Sequence, residues 1–156
     1  MVKIMFVCHG NICRSPMAEI IFRSLAEKHG AAEHYLIASS ATSSEEIWNG
    51  VGNPVYPPAQ EVLKKHGLSA GSKRAVQLRK HDYDSYDLFI GMDSNNIRNM
   101  LHIFGGDPDE KVRRLLPSDV QDPWYTGNFD TVFREIYEGC QTLLETLEEN
   151  KSWSDR

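Results

Sequence analysis

Five residues separate a cysteine from an arginine in the run Cys8-His9-Gly10-Asn11-Ile12-Cys13-Arg14-Ser15-Pro16. That interval lets the backbone curl so that its N–H groups point inward. With a helix N-terminus directly behind, such a nest of amides is an anion site. Arg14 adds a planar fork that matches two oxygens of a tetrahedral oxyanion. The same field stabilises a thiolate, which makes Cys8 a candidate nucleophile at neutral pH. Ser15 is close enough in sequence to donate its hydroxyl to the Cys8 sulfur and ease its later departure. A Cys-x5-Arg spacing alone arises by chance in many proteins, and a bland reading makes Cys8 a small buried hydrophobe. Its position between a strand and a Ser-Pro helix start is the rarer conjunction.

The surrounding elements must hold that turn. Residues 3–7 are a short apolar run suited to a buried strand. Ser15 and Pro16 suit the N-cap and first position of a helix whose apolar face is Met17, Ala18, Ile21, Phe22 and Leu25, closed by Gly30. Residues 35–39 read as a second strand, and residues 40–58 as a long polar loop holding Trp48. A helix over 59–66, a short strand over 75–78 and a buried strand over 88–90 follow. Asp93 caps a helix to about Phe104. Residues 112–116 form a last strand, Asp122-Pro123-Trp124-Tyr125 a turn, and residues 129–147 a long amphipathic helix. Strands alternating with helices predict a single-domain α/β three-layer sandwich. Its central sheet is mostly parallel, of about four strands, flanked by helices. In such sheets the ligand sits beyond the carboxyl ends of the strands, where the Cys8 turn lies.

Composition sets the outer bounds. The chain has 156 residues, 40% hydrophobic and 25% charged, which excludes a disordered chain and a disulfide scaffold. No apolar run reaches the roughly 20 residues of a membrane helix, and residues 1–7 do not form a signal peptide, so a cytoplasmic location and no membrane partner are expected. The net charge of -5 makes nucleic acid an unexpected partner; Lys73-Arg74 with Arg79-Lys80 is the best basic cluster and reads as a solvated face. Three cysteines, Cys8, Cys13 and Cys140, make no even framework and read as thiols. Cys140 lies on the apolar stripe of the last helix and reads as core. His66, His81 and His102 have no metal spacing with the cysteines, and no metal or cofactor is expected. Oligomeric state is left open.

The segment Val7-Cys8-His9-Gly10-Asn11-Ile12-Cys13-Arg14-Ser15-Pro16-Met17-Ala18-Glu19 resembles the signature of the low-molecular-weight protein tyrosine phosphatases. Asp122-Pro123-Trp124-Tyr125 resembles the family's later Asp-Pro-aromatic mark, and Gly91-Met92-Asp93 with Asn95 or Asn96 a further segment. The similarity runs over residues 2–147, and residues 1–156 are read as one phosphatase domain. The resemblance implies attack by Cys8 on a phosphomonoester, ideally of phosphotyrosine-containing proteins or aryl phosphates. Arg14 and the loop amides would hold the oxygens without a metal. Asp122 would protonate the leaving phenolate and then activate the hydrolytic water. It also implies that Asn11 holds a left-handed backbone state, braced by Ser39. Substrate would be bound by His9, Gly10, Asn11, Ile12, Cys13 and Ser15 in the loop, with Ile12, Trp48, Trp124 and Tyr125 walling the cleft. Trp48 taken alone suits packing equally well. A reversible Cys8–Cys13 disulfide is a further implication, set against a Cys13 simply packed on the sheet. The chain departs from the family in Ser39-Ser40-Ala41, in a longer loop over 40–53, and in lacking a histidine near Ser72. Those departures touch the outer rim, not the reaction.

Other readings share parts of this pattern. A protein arginine phosphatase uses the same scaffold, but Ile12 stands where related enzymes carry threonine, and they lack the aromatic pair. An arsenate reductase needs two more cysteines mid-chain, and none lies between Cys13 and Cys140. A non-catalytic phosphate-binding module needs neither Cys8 nor Asp122, and in a purely structural protein the Cys8 loop would be incidental.

Overall fold

The structure, a computed structural model, describes residues 1–150. Its centre is β1 (Val2–Cys8), paired in parallel with β2 (Tyr35–Ala41) on one side and β5 (Leu88–Gly91) on the other. β6 (Val112–Arg114) completes a four-stranded, all-parallel sheet of order β2-β1-β5-β6. Both faces of β1 are covered, which is why it reads as a continuous apolar run and not an alternating one. Ile4, Phe6 and Cys8 face α1 (Arg14–Lys28), α2 (Pro57–Lys65) and α6 (Phe129–Glu149) in the main core. Met5 and Val7 face a second core with Tyr83 of the short α3 (Asp82–Ser85) and Met100 and Phe104 of α4 (Ser94–Phe104).

The chain leaves β1 toward β2 on one side and later returns to pair β5 on the other. The order therefore reverses at the carboxyl end of β1, and that switch point is where doubly wound sheets open a crevice. Residues 9–13 fill it. α1 is driven into the molecule behind them: Arg14 through Phe22 are all buried, and Cys140 of α6 sits with its Sγ 3.7 Å from the Ala18 carbonyl oxygen.

Several local expectations change. Ser15 is not the N-cap: α1 begins at Arg14, with Cys13 at the cap position and no side-chain cap bond. The Ser15 hydroxyl is engaged by Cys8 and Asn11 instead. The loop after β2 contains a small hairpin, β3 (Ile47–Trp48) with β4 (Val51–Gly52), turned by Asn49 and Gly50 at φ 49° and 77°. Residues 75–78 make only an isolated bridge, Ala41 with Gln77, and no strand. The Asp122 turn is a short helix, α5 (Pro123–Thr126), N-capped by Asp122 and ended by Gly127 at φ 71°. Of the basic cluster, Arg74, Arg79 and Lys80 are exposed, as a solvated face requires, whereas Lys73 is half-buried and donates to the Ser39 carbonyl oxygen. Among the described residues no helix is long and apolar enough to cross a membrane.

Candidate active site

The loop after β1 wraps its own first residue. The N–H of Asn11 points at Cys8 Sγ from 3.3 Å and that of Ser15 from 3.4 Å, and Ser15 Oγ lies 3.0 Å away. Donors converging at the amino end of α1 stabilise negative charge on that sulfur. Asn11 has φ 58°, a left-handed state, and is 1% exposed. That strain of order 1–3 kcal/mol persists only where surroundings over-determine it. Here they do. Asn11 Nδ2 donates to Ser15 Oγ at 2.7 Å and Ser39 Oγ at 3.0 Å, while its Oδ1 accepts the Val76 N–H at 3.0 Å.

The direction of these bonds matters. Ser39 Oγ donates to Glu19 Oε1 at 2.6 Å, which leaves its lone pairs for Asn11. Ser15 Oγ accepts from Asn11, which leaves its own proton for the Cys8 sulfur. A polarised chain thus runs from the sulfur through Ser15, Asn11 and Ser39 to the Glu19 carboxylate. Arg23 Nη2 holds the far Glu19 oxygen at 3.0 Å, and Lys73 Nζ lies 3.7 Å from the near one. Burial lowers the Lys73 pKa against the pull of Glu19.

Arg14 is 2% exposed and fixed from behind. Its Nη1 donates to Asp93 Oδ2 at 2.7 Å and to the Val120 carbonyl oxygen at 2.9 Å, while Nη2 lies 3.6 Å from Asp122 Oδ2. Burial alone would lower its pKa, but Cys8, Asp93 and Asp122 together hold it above the ordinary value. Asp93 also caps α4: its Oδ1 accepts the Asn96 N–H at 2.8 Å, and Asn96 Oδ1 accepts the N–H groups of Met92 and Asp93. Asp122 accepts the Trp124 N–H on Oδ1 at 3.0 Å. Its other oxygen, Oδ2, is the one 3.6 Å from Arg14 Nη2, and Asp122 lines the same cavity as Cys8.

The cavity above Cys8 is about 140 Å³. Cys8 and Arg14 lie in it with His9, Gly10, Ile12 and Cys13, and with Asp122, Trp124 and Tyr125 from the far side. Trp124 is backed by the Tyr56 ring at 4.8 Å. The arrangement can seat a tetrahedral oxyanion on amides and Arg14, with a sulfur nucleophile below and a carboxyl group opposite.

A sequence model of the low molecular weight phosphotyrosine protein phosphatases matches residues 3–153. The chain belongs to that family. It is 40% identical, over 97% of its length and 99% of theirs, to the low molecular weight protein-tyrosine-phosphatase YfkJ of Bacillus subtilis. The crystal structure of YfkJ superposes with a TM-score of 0.90 at 38% identity, covering 97% of this chain and 98% of that one. The human low molecular weight phosphotyrosine protein phosphatase is 32% identical over 92% of this chain and 94% of its own. A mutant of the arginine phosphatase YwlE with a phosphorylated active-site serine also matches, at 25% identity and TM-score 0.83, covering 96% and 98%.

In this phosphatase Cys8, His9, Gly10, Ile12, Cys13 and Arg14 of the loop share one cavity with Asp122, Trp124 and Tyr125. Asn11 and Ser15 lie behind the sulfur, outside the cavity wall. Trp48 does not line the cavity: it precedes the hairpin turn with its side chain in solvent, 73% exposed, and Glu45 and Glu46 occupy the wall instead. Cys13 is a free buried thiol on the same wall, its pKa raised by burial and by the negative neighbours Cys8 and Asp122. Cys140 is fully buried, as expected of core. The sequence reading missed Glu19 and Lys73 as loop braces, Asp93 as the Arg14 anchor, and Glu45 and Glu46. Glu19 lies inside the quoted signature, and Asp93 was visible as a cap. Nothing in the spacing joins Arg14 to a residue 79 positions away.

Proposed function

We propose that the protein hydrolyses phosphotyrosine in cytoplasmic proteins, and aryl phosphates generally, through a phosphocysteine on Cys8. The observation that carries this is the sulfur of Cys8, ringed by N–H and O–H donors at 3.0–3.4 Å, in one cavity with Arg14 and Asp122. Cys8 attacks phosphorus while the phenolate leaves on the opposite side, taking a proton from Asp122. Arg14 and the loop amides hold the three equatorial oxygens, where charge is concentrated in the transition state. The Ser15 hydroxyl then stabilises the departing thiolate as Asp122 takes a proton from the attacking water. Ile12, Trp124 and Tyr125 favour a flat aryl group over a short alkyl one. Ile12 also leaves little room for a guanidinium.

A panel of otherwise identical phosphotyrosine, phosphoserine and phosphoarginine peptides tests this reading. Phosphotyrosine turnover far above the other two is expected. A dominant phosphoarginine activity would assign the arginine-phosphatase chemistry instead, and binding without turnover would make the protein a phosphate-recognition module.

A further inference from the structure

The mouth of the cavity carries charge that opposes its own ligand. A phosphate monoester brings up to two negative charges, yet Glu45 and Glu46 line the wall it must pass, and Asp122 stands opposite. Arg14, the permanent cation among the lining residues, is already shared between Asp93 at 2.7 Å and Asp122 at 3.6 Å. The permanent charges of the lining are therefore one cation at the floor against carboxylates above it, with His9 beside Glu45.

Of these two glutamates Glu46 is held in place, and Glu45 is a largely exposed charge beside a rim histidine. Glu45 Oε2 lies 3.0 Å from His9 Nε2. Glu46 accepts from Asn53 twice, on Oε2 from Nδ2 at 2.7 Å and on its carbonyl oxygen from the N–H at 2.8 Å. Gly10 makes room for it: a Cβ there would meet Glu46 Cγ at 3.2 Å. Ile47, the next residue, packs against the cluster of Ile12, Cys13 and Ala75. The acidic pair is thus tied to the phosphate loop from both sides.

We propose that Glu45 and Glu46 select the residues flanking phosphotyrosine, favouring peptides with Lys or Arg beside it over peptides with Asp or Glu. This rests on the tyrosine-phosphatase reading of the cavity. A flanking cation pairs with the rim as the phosphate reaches the floor; a flanking carboxylate meets like charge at close range. Rim charges act mainly on encounter and are screened by salt, since the Debye length is about 10 Å at 0.1 M. For two partly exposed pairs the effect on kcat/KM is roughly tenfold at low salt.

The test compares matched phosphotyrosine peptides with Lys, Ala or Glu at the flanking positions, in the wild type, Glu45→Gln, Glu45→Gln/Glu46→Gln and Glu45→Lys, with p-nitrophenyl phosphate turnover measured on every protein. The expected wild-type order is Lys over Ala over Glu, carried by KM. It weakens in the single neutral variant, is lost in the double variant and in high salt, and reverses toward Glu in Glu45→Lys. Because Glu45 is largely exposed, the single variants keep the test independent of any folding defect at Glu46. Equal kcat/KM for the three peptides, or a preference that survives neutralisation of both glutamates, would overturn the inference while p-nitrophenyl phosphate turnover keeps the phosphatase reading intact. Loss of all aryl phosphate turnover in the wild type would instead overturn that reading, and the rim with it.

Discussion

Asp122 has one carboxylate oxygen on the Trp124 N–H and the other 3.6 Å from Arg14 Nη2, so its two roles, helix cap and proton donor, use different atoms. Asp122→Asn keeps the cap and removes the proton. Turnover of a substrate with a poor leaving group is expected to fall about 10²–10⁴-fold, and much less for a phenol that leaves without a proton. Steady-state rates across a series of aryl phosphates check this; an equal loss for all would mark a structural role. The two loop thiols also separate at this scale. Cys8 is ringed by donors, whereas burial and negative neighbours keep Cys13 protonated. Mild peroxide is therefore expected to oxidise Cys8 first, with phosphate slowing the loss of activity and thiols restoring it. Capture of the sulfenic acid by Cys13 would yield a Cys8–Cys13 linked peptide in mass spectra. A Cys8 sulfinate beside a free Cys13 would contradict that capture.

Among the elements, α1 and α4 are joined to the site through their first turns, and Asp93 serves both. It caps α4 with one oxygen and anchors Arg14 with the other. Asp93→Ala is expected to lower stability by at least about 1 kcal/mol from the lost cap alone. It is also expected to raise KM, because the buried Arg14 loses its closest partner. Denaturant melts with and without saturating phosphate, together with KM, measure the two effects; an unchanged KM would show that Val120 and Asp122 suffice to aim the guanidinium. The cap of α4 was legible in the sequence because capping is local. The two-residue strands β3 and β4 were not, being shorter than any period, although Asn49-Gly50 is a hairpin-turn signal between Trp48 and Val51. The wall role of Trp48 was an implication of the resemblance; the hairpin instead leaves Trp48 in solvent and puts Glu45 and Glu46 in the wall. The start of α1 lies two residues before the expected one because Ser15 looks like a cap, while its hydroxyl is drawn to the Cys8 sulfur by a contact that only the curled loop creates.

Across the whole molecule, the strand order β2-β1-β5-β6 puts the end of β1 at the switch point, so the sheet itself presents Cys8. This level was the most legible: long apolar runs and a 21-residue amphipathic α6 leave few alternatives. The braces that span the fold, Glu19 to Ser39 and Arg14 to Asp93, depend on topology and carry no sequence period. Because amides and Arg14 supply the positive charge at the floor, activity is expected to withstand chelators and to be inhibited competitively by phosphate, arsenate and vanadate. Loss of activity on chelation, restored by zinc or magnesium, would contradict a metal-free floor. The central claim is that Cys8 carries the phosphoryl group. Rapid acid quench of the wild-type protein during turnover of an aryl phosphate, followed by peptide mass spectrometry, tests it directly. The expected result is one phosphoryl group on Cys8, formed at least as fast as steady-state turnover and absent in Cys8→Ala. Phosphate on any other residue, or full turnover by Cys8→Ala, would contradict it.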